Sequence, residues 1–433
     1  MRDEHKGSAI SDAKCASIGP GADTAQAAQR TARNSMAYDA LLDDPYPFYK
    51  ELRQSAPVHY SAGRGAWMIS RFDDISRIEA SDALSHGARC DALFAGLSEE
   101  IRNRLPTVCK VVPNHLGHLD STAHTKHRKL MQAATARPVI TALKPMVEAK
   151  CKARLEALNL TQDVDLIGDF AKPLPFEVLV AAMGLDHRWP LEDVEGWTRN
   201  MLGDFALATM STDELDRKER AVGALSSIFG QLLSDNHGTS DSLIIRALKK
   251  AMIKQGLGLD AAICTAIQCL TGGYESLRHA VSVGLHTALN HPQWTATQMQ
   301  SGGLSVEAVD ELMRYDCVVQ KLSRTVSKPV TLSDVKVPKG ANVHLLPGSG
   351  NRDPERFANP DTLDLRNGSV AHFAFGAGPH YCPGAGLARM LVQVALTALL
   401  NHDIYSYIRT EDAQWDRDER HRGIARWPVQ VQQ

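Results

Sequence analysis

Residues 375–384 read Phe375-Gly376-Ala377-Gly378-Pro379-His380-Tyr381-Cys382-Pro383-Gly384. Three glycines and two prolines surround one cysteine, and a long apolar run follows at once. The pattern predicts a loop entering a helix from about Pro383 to Leu400. Pro383 would sit in the first turn, where its missing N–H costs no intrahelical bond. A thiolate so placed gains from the positive helix end and its unpaired N–H groups. The glycines would let the backbone approach a flat ligand closely. A lone cysteine in such a turn is more often buried and inert, so the reading needs support from elsewhere in the chain.

The setting is an ordinary globular one. The chain has 433 residues, 43% of them hydrophobic and 23% charged, so apolar material suffices for a large core. Its 31 glycines and 20 prolines exclude collagen-like and Pro/Gly-rich low-complexity classes. A formal net charge of −2 argues against a general nucleic-acid footprint. No apolar run reaches the ~20 residues of a membrane span, and the N-terminal stretch lacks the apolar core of a secretory signal. A cytoplasmic protein, with no membrane and no nucleic acid as partner, is therefore expected. The eight cysteines (15, 90, 109, 151, 264, 269, 317 and 382) form no CxxC pair, which predicts reduced thiols acting singly.

Residues 1–35 carry almost no large apolar side chains and are expected to form a disordered tail. Residues 36–433 read as a single domain, mainly α with smaller β-sheets. A helix is predicted from Phe48 to Gln54, then strands Val58–Ser61 and Ala66–Ser70 joined by a turn through Gly63 and Gly65. Helical periodicity marks Ala142–Leu158, Phe176–Met183 and Ala221–Leu233. The run Asp260–Leu289 spans about eight turns. Thr271-Gly272-Gly273 is expected to interrupt it, each glycine weakening the helix by roughly 1 kcal/mol relative to Ala. Short strands follow at Val330–Leu332 and Asn342–Leu346, and strand-like pieces close the chain.

The ten-residue string resembles the haem-binding loop of the cytochrome P450 family at every position, and Leu387-Ala388-Arg389 beyond it fits as well. Other segments agree. Glu311-Leu312-Met313-Arg314 resembles the family's ExxR motif; a spacing of three puts Glu311 and Arg314 on one helix face. On its own such a pair would be a weak surface contact; the resemblance implies a structural pair locked to the segment before the cysteine. Asn351-Arg352-Asp353-Pro354 with Phe357 matches the stretch between these two motifs. Asp120 through His124 to Arg128 resembles a D-x-x-x-H-x-x-x-R segment, and Gly272-Gly273-Tyr274-Glu275-Ser276 an [AG]-G-x-[DE]-T element. The ending, Trp415 through Arg422-Gly423 to Trp427-Pro428-Val429, fits too. The resemblance runs from about residue 44 to 430.

The resemblance implies the cytochrome P450 fold, with a long helix over the distal haem face and the cysteine loop on the proximal face. Cys382 would be the axial metal ligand of haem b (iron protoporphyrin IX), with Phe375 and Gly384 in its loop. His124, Arg128, Arg324 and His380 would meet the haem propionates; His124 and Arg128, four apart, share a helix face. Gly272 and Gly273 would make room for dioxygen. Glu275 and Ser276 would relay protons during oxygen activation. Ser276 stands where threonine is usual, keeping the hydroxyl but losing the methyl that restricts χ1. The implied activity is O2-dependent monooxygenation, hydroxylation or oxidative dealkylation of a small organic molecule in specialised metabolism or catabolism.

No flavin or nicotinamide fingerprint is present, so electrons would come ultimately from NAD(P)H through a ferredoxin and a ferredoxin reductase. The ferredoxin would dock near Lys126 and Lys129, and a monomer is expected. Rival readings are a peroxide-driven enzyme, a non-catalytic haem sensor or recruitment protein, and atypical chemistry such as aromatic coupling or nitration. Glu275 and Ser276 favour the O2-dependent reading. Arg278 is expected to point away from Ser276. By family position the substrate would meet His115, His118, Val318, Val319, Gln320 and Leu322, in a pocket drawn also from 195–210 and the turn near His421. The polar groups there (with Lys321 and Arg420) either face solvent, leaving an apolar pocket, or line it for a polar, carboxylate-bearing substrate.

Overall fold

The computed structural model describes residues 42–186, 188–202, 207–235 and 242–431. The tail expected over residues 1–35 lies outside the described residues. The first helix, α1 (Tyr46–Ser55), turns Tyr49 and Leu52 inward. Strands β1 (Val58–Ser61) and β2 (Ala66–Ile69) form the expected hairpin, with Gly65 at φ 57°, a left-handed setting that glycine adopts freely. Helix α2 (Phe72–Glu79) follows, with Asp73 and Asp74 in its first turn where the helix dipole favours acids. Phe72, Ile75 and Ile78 point into the core.

Strand β3 (Leu84–Ser85) precedes helices α3 (Ser121–Ala134), α4 (Arg137–Glu156), α5 (Pro173–Ala182), α6 (Thr212–Ser234) and α7 (Leu243–Gln255). Helix α6 starts on a full capping box, Ser211 with Glu214. The longest element, α8 (Leu259–Asn290), has 32 residues and spans about 48 Å. It runs unbroken through Thr271-Gly272-Gly273, so the expected interruption is corrected. Packing supplies what propensity lacks. The α8 residues Ile267, Leu270, Tyr274, Leu277 and Val281 are buried in the main core, and such burial outweighs ~1 kcal/mol per glycine.

Helix α9 (Val306–Tyr315) leads into β4 (Leu322–Val326), a two-stranded pair β5 (Val330–Leu332) and β6 (Val335–Val337), and then β7 (Asn342–Leu345). The larger sheet has the order β1-β2-β7-β4-β3. Only β2 and β7 run parallel, with Trp67 opposite Val343; Arg324 on β4 also lies opposite Val343. All four residues of β2 are buried, as a central strand covered on both faces requires. Helix α10 (Ala385–Leu400) packs against α4 and α8, and the chain closes with β8 (Gln414–Trp415) and β9 (Ile424–Arg426). Helix α10 begins at Ala385, not at Pro383. The proline therefore lies before the helix, and Cys382 stands two residues ahead of its N-cap, Gly384.

The ExxR residues lie inside α9. Glu311 and Arg314 are fully buried and joined by two hydrogen bonds, Arg314 Nε to Glu311 Oε2 at 2.7 Å and Nη2 to Oε1 at 2.8 Å. Arg314 also donates to the carbonyls of Asn351 (2.7 Å), Pro360 (3.0 Å) and Thr362 (3.2 Å), while Glu311 accepts from Asp364 N–H (2.7 Å). This fork stitches α9 to the segment leading to the cysteine loop. No helix among the described residues is long and apolar enough to cross a membrane.

Candidate active site

The loop bearing Cys382 is held by its own backbone. Cys382 N–H donates to Phe375 O at 2.8 Å, and Phe375 is buried beneath the Arg389 guanidinium, 4.3 Å from its ring centre. Gly378 lies at φ 63°, and a Cβ there would come within 2.5 Å of Glu79 O, so glycine alone fits. Arg128, on α3, donates to Tyr381 O at 2.5 Å. Burial raises the Cys382 thiol pKa, while the N–H groups of Gly384 and Ala385 and the charges of Arg128 and Arg389 pull it back.

Cys382 faces a cavity of about 240 Å³ shared with α8. Gly272, Gly273 and Ser276 line the opposite wall, with Met131, Leu179, Ile244 and Leu277 among the apolar groups and Gly384 beside the sulfur. The two glycines differ. A Cβ on Gly272 would meet only Gln268 at 3.9 Å, whereas one on Gly273 would press Leu179 at 3.1 Å. Gly272 leaves room over the cysteine; Gly273 lets α5 come close. Ser276 Oγ donates to Gly272 O at 2.9 Å within its helix.

Glu275 does not line the cavity; its carboxylate forms an ion pair with Arg278 Nη2 at 2.9 Å, with His279 Nε2 3.7 Å away. Arg278 also pairs with Asp416 at 3.3 Å. Arg278 thus turns from Ser276 but holds the neighbouring acid, a tether the helical spacing of three permits.

A second cluster lies beside the cysteine loop. The His380 ring stacks on His86 (centroids 3.5 Å) and tilts against His124 (4.0 Å), with Arg324 close by. Burial lowers the imidazole pKa values, those of His86 and His380 to about 3, so both are neutral donors rather than cations. The fixed charges are Arg128 and Arg324. His86 Nδ1 and His124 Nε2 are buried and make no hydrogen bond among the described residues, and Arg324 Nε has only an ion pair with Glu79 Oε1 at 3.3 Å. Unpaired buried donors are costly. Together with a thiol facing a cavity walled by glycine, they fit a group that presents a metal to sulfur and carboxylates to nitrogen. Haem has both.

The suggested substrate residues are scattered. His115 is partly buried, its Nε2 without a hydrogen-bond partner among the described residues and its pKa lowered to about 3 by burial; His118 Nδ1 lies 2.9 Å from Val112 O. Val318 is buried, Val319 bridges to His421, and Leu322 packs on the sheet core. Gln320 is buried, donates to Cys317 O and wedges against Gly348. None of the six borders the cavity over Cys382.

Sequence reasoning missed His86, Glu79 and Gln268, whose Oε1 accepts from Leu116 N–H at 2.8 Å and ties the 112–119 loop to α8. One signal was present: Glu79 falls on the Phe72, Ile75, Ile78 stripe of an amphipathic helix, where an acid is out of place.

Comparisons with known proteins agree on one family. The family description "Cytochrome P450" matches residues 234–431. A cytochrome P450 of Xylella fastidiosa designated 133B2 is 30% identical over 397 residues, covering 89% of this chain and 96% of the relative. The 6-deoxyerythronolide B hydroxylase of Saccharopolyspora erythraea is 26% identical over 407 residues, covering 91% and 97%. The tirandamycin C-bound P450 monooxygenase TamI superposes with a TM-score of 0.73 at 29% identity, covering 91% of this chain and 99% of that one.

Proposed function

Because the chain belongs to the cytochrome P450 family of haem-thiolate monooxygenases, we propose that the Cys382 sulfur would hold the haem iron and that the enzyme oxygenates a small, largely apolar molecule. The observation that carries this is the Cys382 sulfur facing a cavity walled by Gly272 and Ser276. When bound there, haem supplies the activation of O2 for insertion of one oxygen atom into a C–H bond. The protein's part is to bind, orient and deliver protons. His124, Arg128, Arg324 and His380 would hold the haem carboxylates, Phe375 and Gly384 shape the cysteine loop, and Gly272 leaves space for a small molecule over the sulfur. Residues from about 36 onward act as a single haem-binding domain.

Ser276 Oγ and Glu275 form the proton route in this reading. Ser276 donates to Gly272 O at rest and can turn its hydroxyl toward the cavity it lines. Glu275, steadied by Arg278, exchanges protons with solvent, since its side chain is 37% exposed. Ser276→Ala removes the hydroxyl and leaves the helix intact. Product per O2 consumed is expected to fall several-fold and hydrogen peroxide to rise. Unchanged coupling would assign proton delivery elsewhere and favour a peroxide-driven or atypical oxidation.

We assign electron delivery to a ferredoxin and its NAD(P)H-dependent reductase, docking near the exposed Lys126 and Lys129 of α3. The substrate reading rests on the lining. Gln320 is buried and His115 partly buried, both away from the cavity, while Met131, Leu179, Ile244 and Leu277 border it, which favours the apolar alternative. Optical titration of the haem-loaded protein tests it. Steroids, terpenes or fatty acids are expected to shift the Soret band from low to high spin, and small anionic aromatics are not. The reverse order would place the polar residues in the substrate pocket.

A further inference from the structure

We propose that Glu79 is a built-in carboxylate of the haem-propionate pocket, sharing Arg324 with the haem's own carboxylates and so weakening haem retention and lowering its reduction potential. This rests on the haem-thiolate reading of Cys382.

Glu79 ends α2, and its side chain is 1% exposed. Neither carboxylate oxygen makes a hydrogen bond among the described residues. Its one ion-pair partner among the described residues is Arg324, Nε to Oε1 at 3.3 Å, and Arg324 Nε is itself without a hydrogen bond. A carboxylate serving only as a structural tie would be expected to accept several donors, as Asp120 does next door. Asp120 takes Ser85 Oγ at 2.6 Å and the N–H groups of His86 and Gly87 at 3.0 and 3.2 Å. Glu79 instead keeps a loosely held charge against one guanidinium.

The position ties that charge to the site. The Glu79 carbonyl lies against Gly378 so closely that a Cβ there would come within 2.5 Å, which fixes the acid beside the loop carrying His380 and Cys382. Arg324 also lies near His380 and His86. Arg324 and Arg128 are fixed cations of the pocket, and Glu79 offsets the first of them at 3.3 Å. A group bringing two carboxylates must share Arg324 with a third. A fixed negative charge beside the pocket also disfavours adding an electron to the metal centre.

The test is Glu79→Gln in the haem-loaded enzyme, with two readouts besides turnover. One is the rate of haem transfer to an excess of a haem-free globin; the other is the midpoint potential by spectroelectrochemistry. Transfer is expected to slow about tenfold. The potential is expected to rise by about a tenfold change in the one-electron equilibrium, ~59 mV. Asp74→Asn on the same helix is the control, because Asp74 accepts from Ser333 N–H and Oγ and touches none of the pocket groups; it should move neither readout. Should Glu79→Gln not accumulate, Glu79→Asp keeps the charge but withdraws it from Arg324. It must then shift both readouts in the same direction by a smaller step.

Unchanged transfer and potential in a folded variant would overturn the proposal and leave Glu79 a structural residue. Absence of the thiolate-type carbon-monoxide spectrum in the parent enzyme would instead overturn the Cys382 assignment on which it rests.

Discussion

Cys382→Ser is expected to abolish the red-shifted Soret band of the reduced carbon-monoxide complex and to drop substrate oxidation to background, with little change in thermal stability. The loop is held by backbone contacts, Cys382 N–H to Phe375 O and the Gly378 turn against Glu79, and serine leaves these in place. What changes is the ligand. The Cys382 thiol sits near the N–H groups of Gly384 and Ala385 and the charges of Arg128 and Arg389, which favour the thiolate against the cost of burial. A metal must displace its proton, which a thiol releases far more readily than a serine hydroxyl does. Haem content, the carbon-monoxide difference spectrum and a thermal melt together check this. A persisting thiolate band would point to Cys269, the other cysteine lining the cavity. Nothing offsets burial there, however, and its pKa is pushed up to about 12.

Glu311→Gln has the second large effect, on folding rather than on chemistry. Glu311 and Arg314 are both fully buried, and the fork between them is the only charge compensation Arg314 has within hydrogen-bond reach among the described residues. Removing one partner of a buried ion pair costs about 3–5 kcal/mol, against a total stability of about 5–15 kcal/mol for a typical domain. The carbonyls of Asn351, Pro360 and Thr362 would keep Arg314 in place without neutralising it, and Asp364 N–H would lose a charged acceptor. The expected outcome is a lower melting temperature and a poor yield of haem-loaded protein. Glu156→Gln, breaking a solvent-exposed i,i+4 pair with Lys152, should leave both near the parent values. A Glu311→Gln protein as stable as the parent would show that the pair is dispensable to the fold.

The two expectations differ in how far the residues alone could carry them. Phe375 to Gly384, with Glu311-Leu312-Met313-Arg314 and Gly272-Gly273-Tyr274-Glu275-Ser276, was legible because each motif is local. A glycine needed for a left-handed turn, a cysteine just before a helix, and an acid and a base one turn apart are constraints that a few adjacent residues express. Hydrophobic periodicity likewise located α8 and the β1–β2 hairpin to within a few residues, but it caught only the second half of α6, whose charged start at Thr212 lies nine residues before Ala221. It misjudged α8 at Gly272-Gly273 because propensity counts the backbone cost and not the packing that covers it. It started α10 two residues early because proline fits either side of a helix start.

Tertiary structure alone decided the partners distant in sequence. That His86, His124 and His380 lie ring against ring depends on β3, α3 and the cysteine loop meeting, and none of the three segments signals the others. The neutrality of His86 and His380 follows from burial, which is a property of the assembled core. Arg324 is expected from its motif to meet a haem propionate, and in the fold it also faces Glu79, about 245 residues earlier. The positions suggested for substrate, His115 to Leu322, do not border the cavity over Cys382. The chain's chemistry is written in short motifs whose bonds are local, whereas the charge and shape of the pocket arise from contacts that only closure of the fold creates.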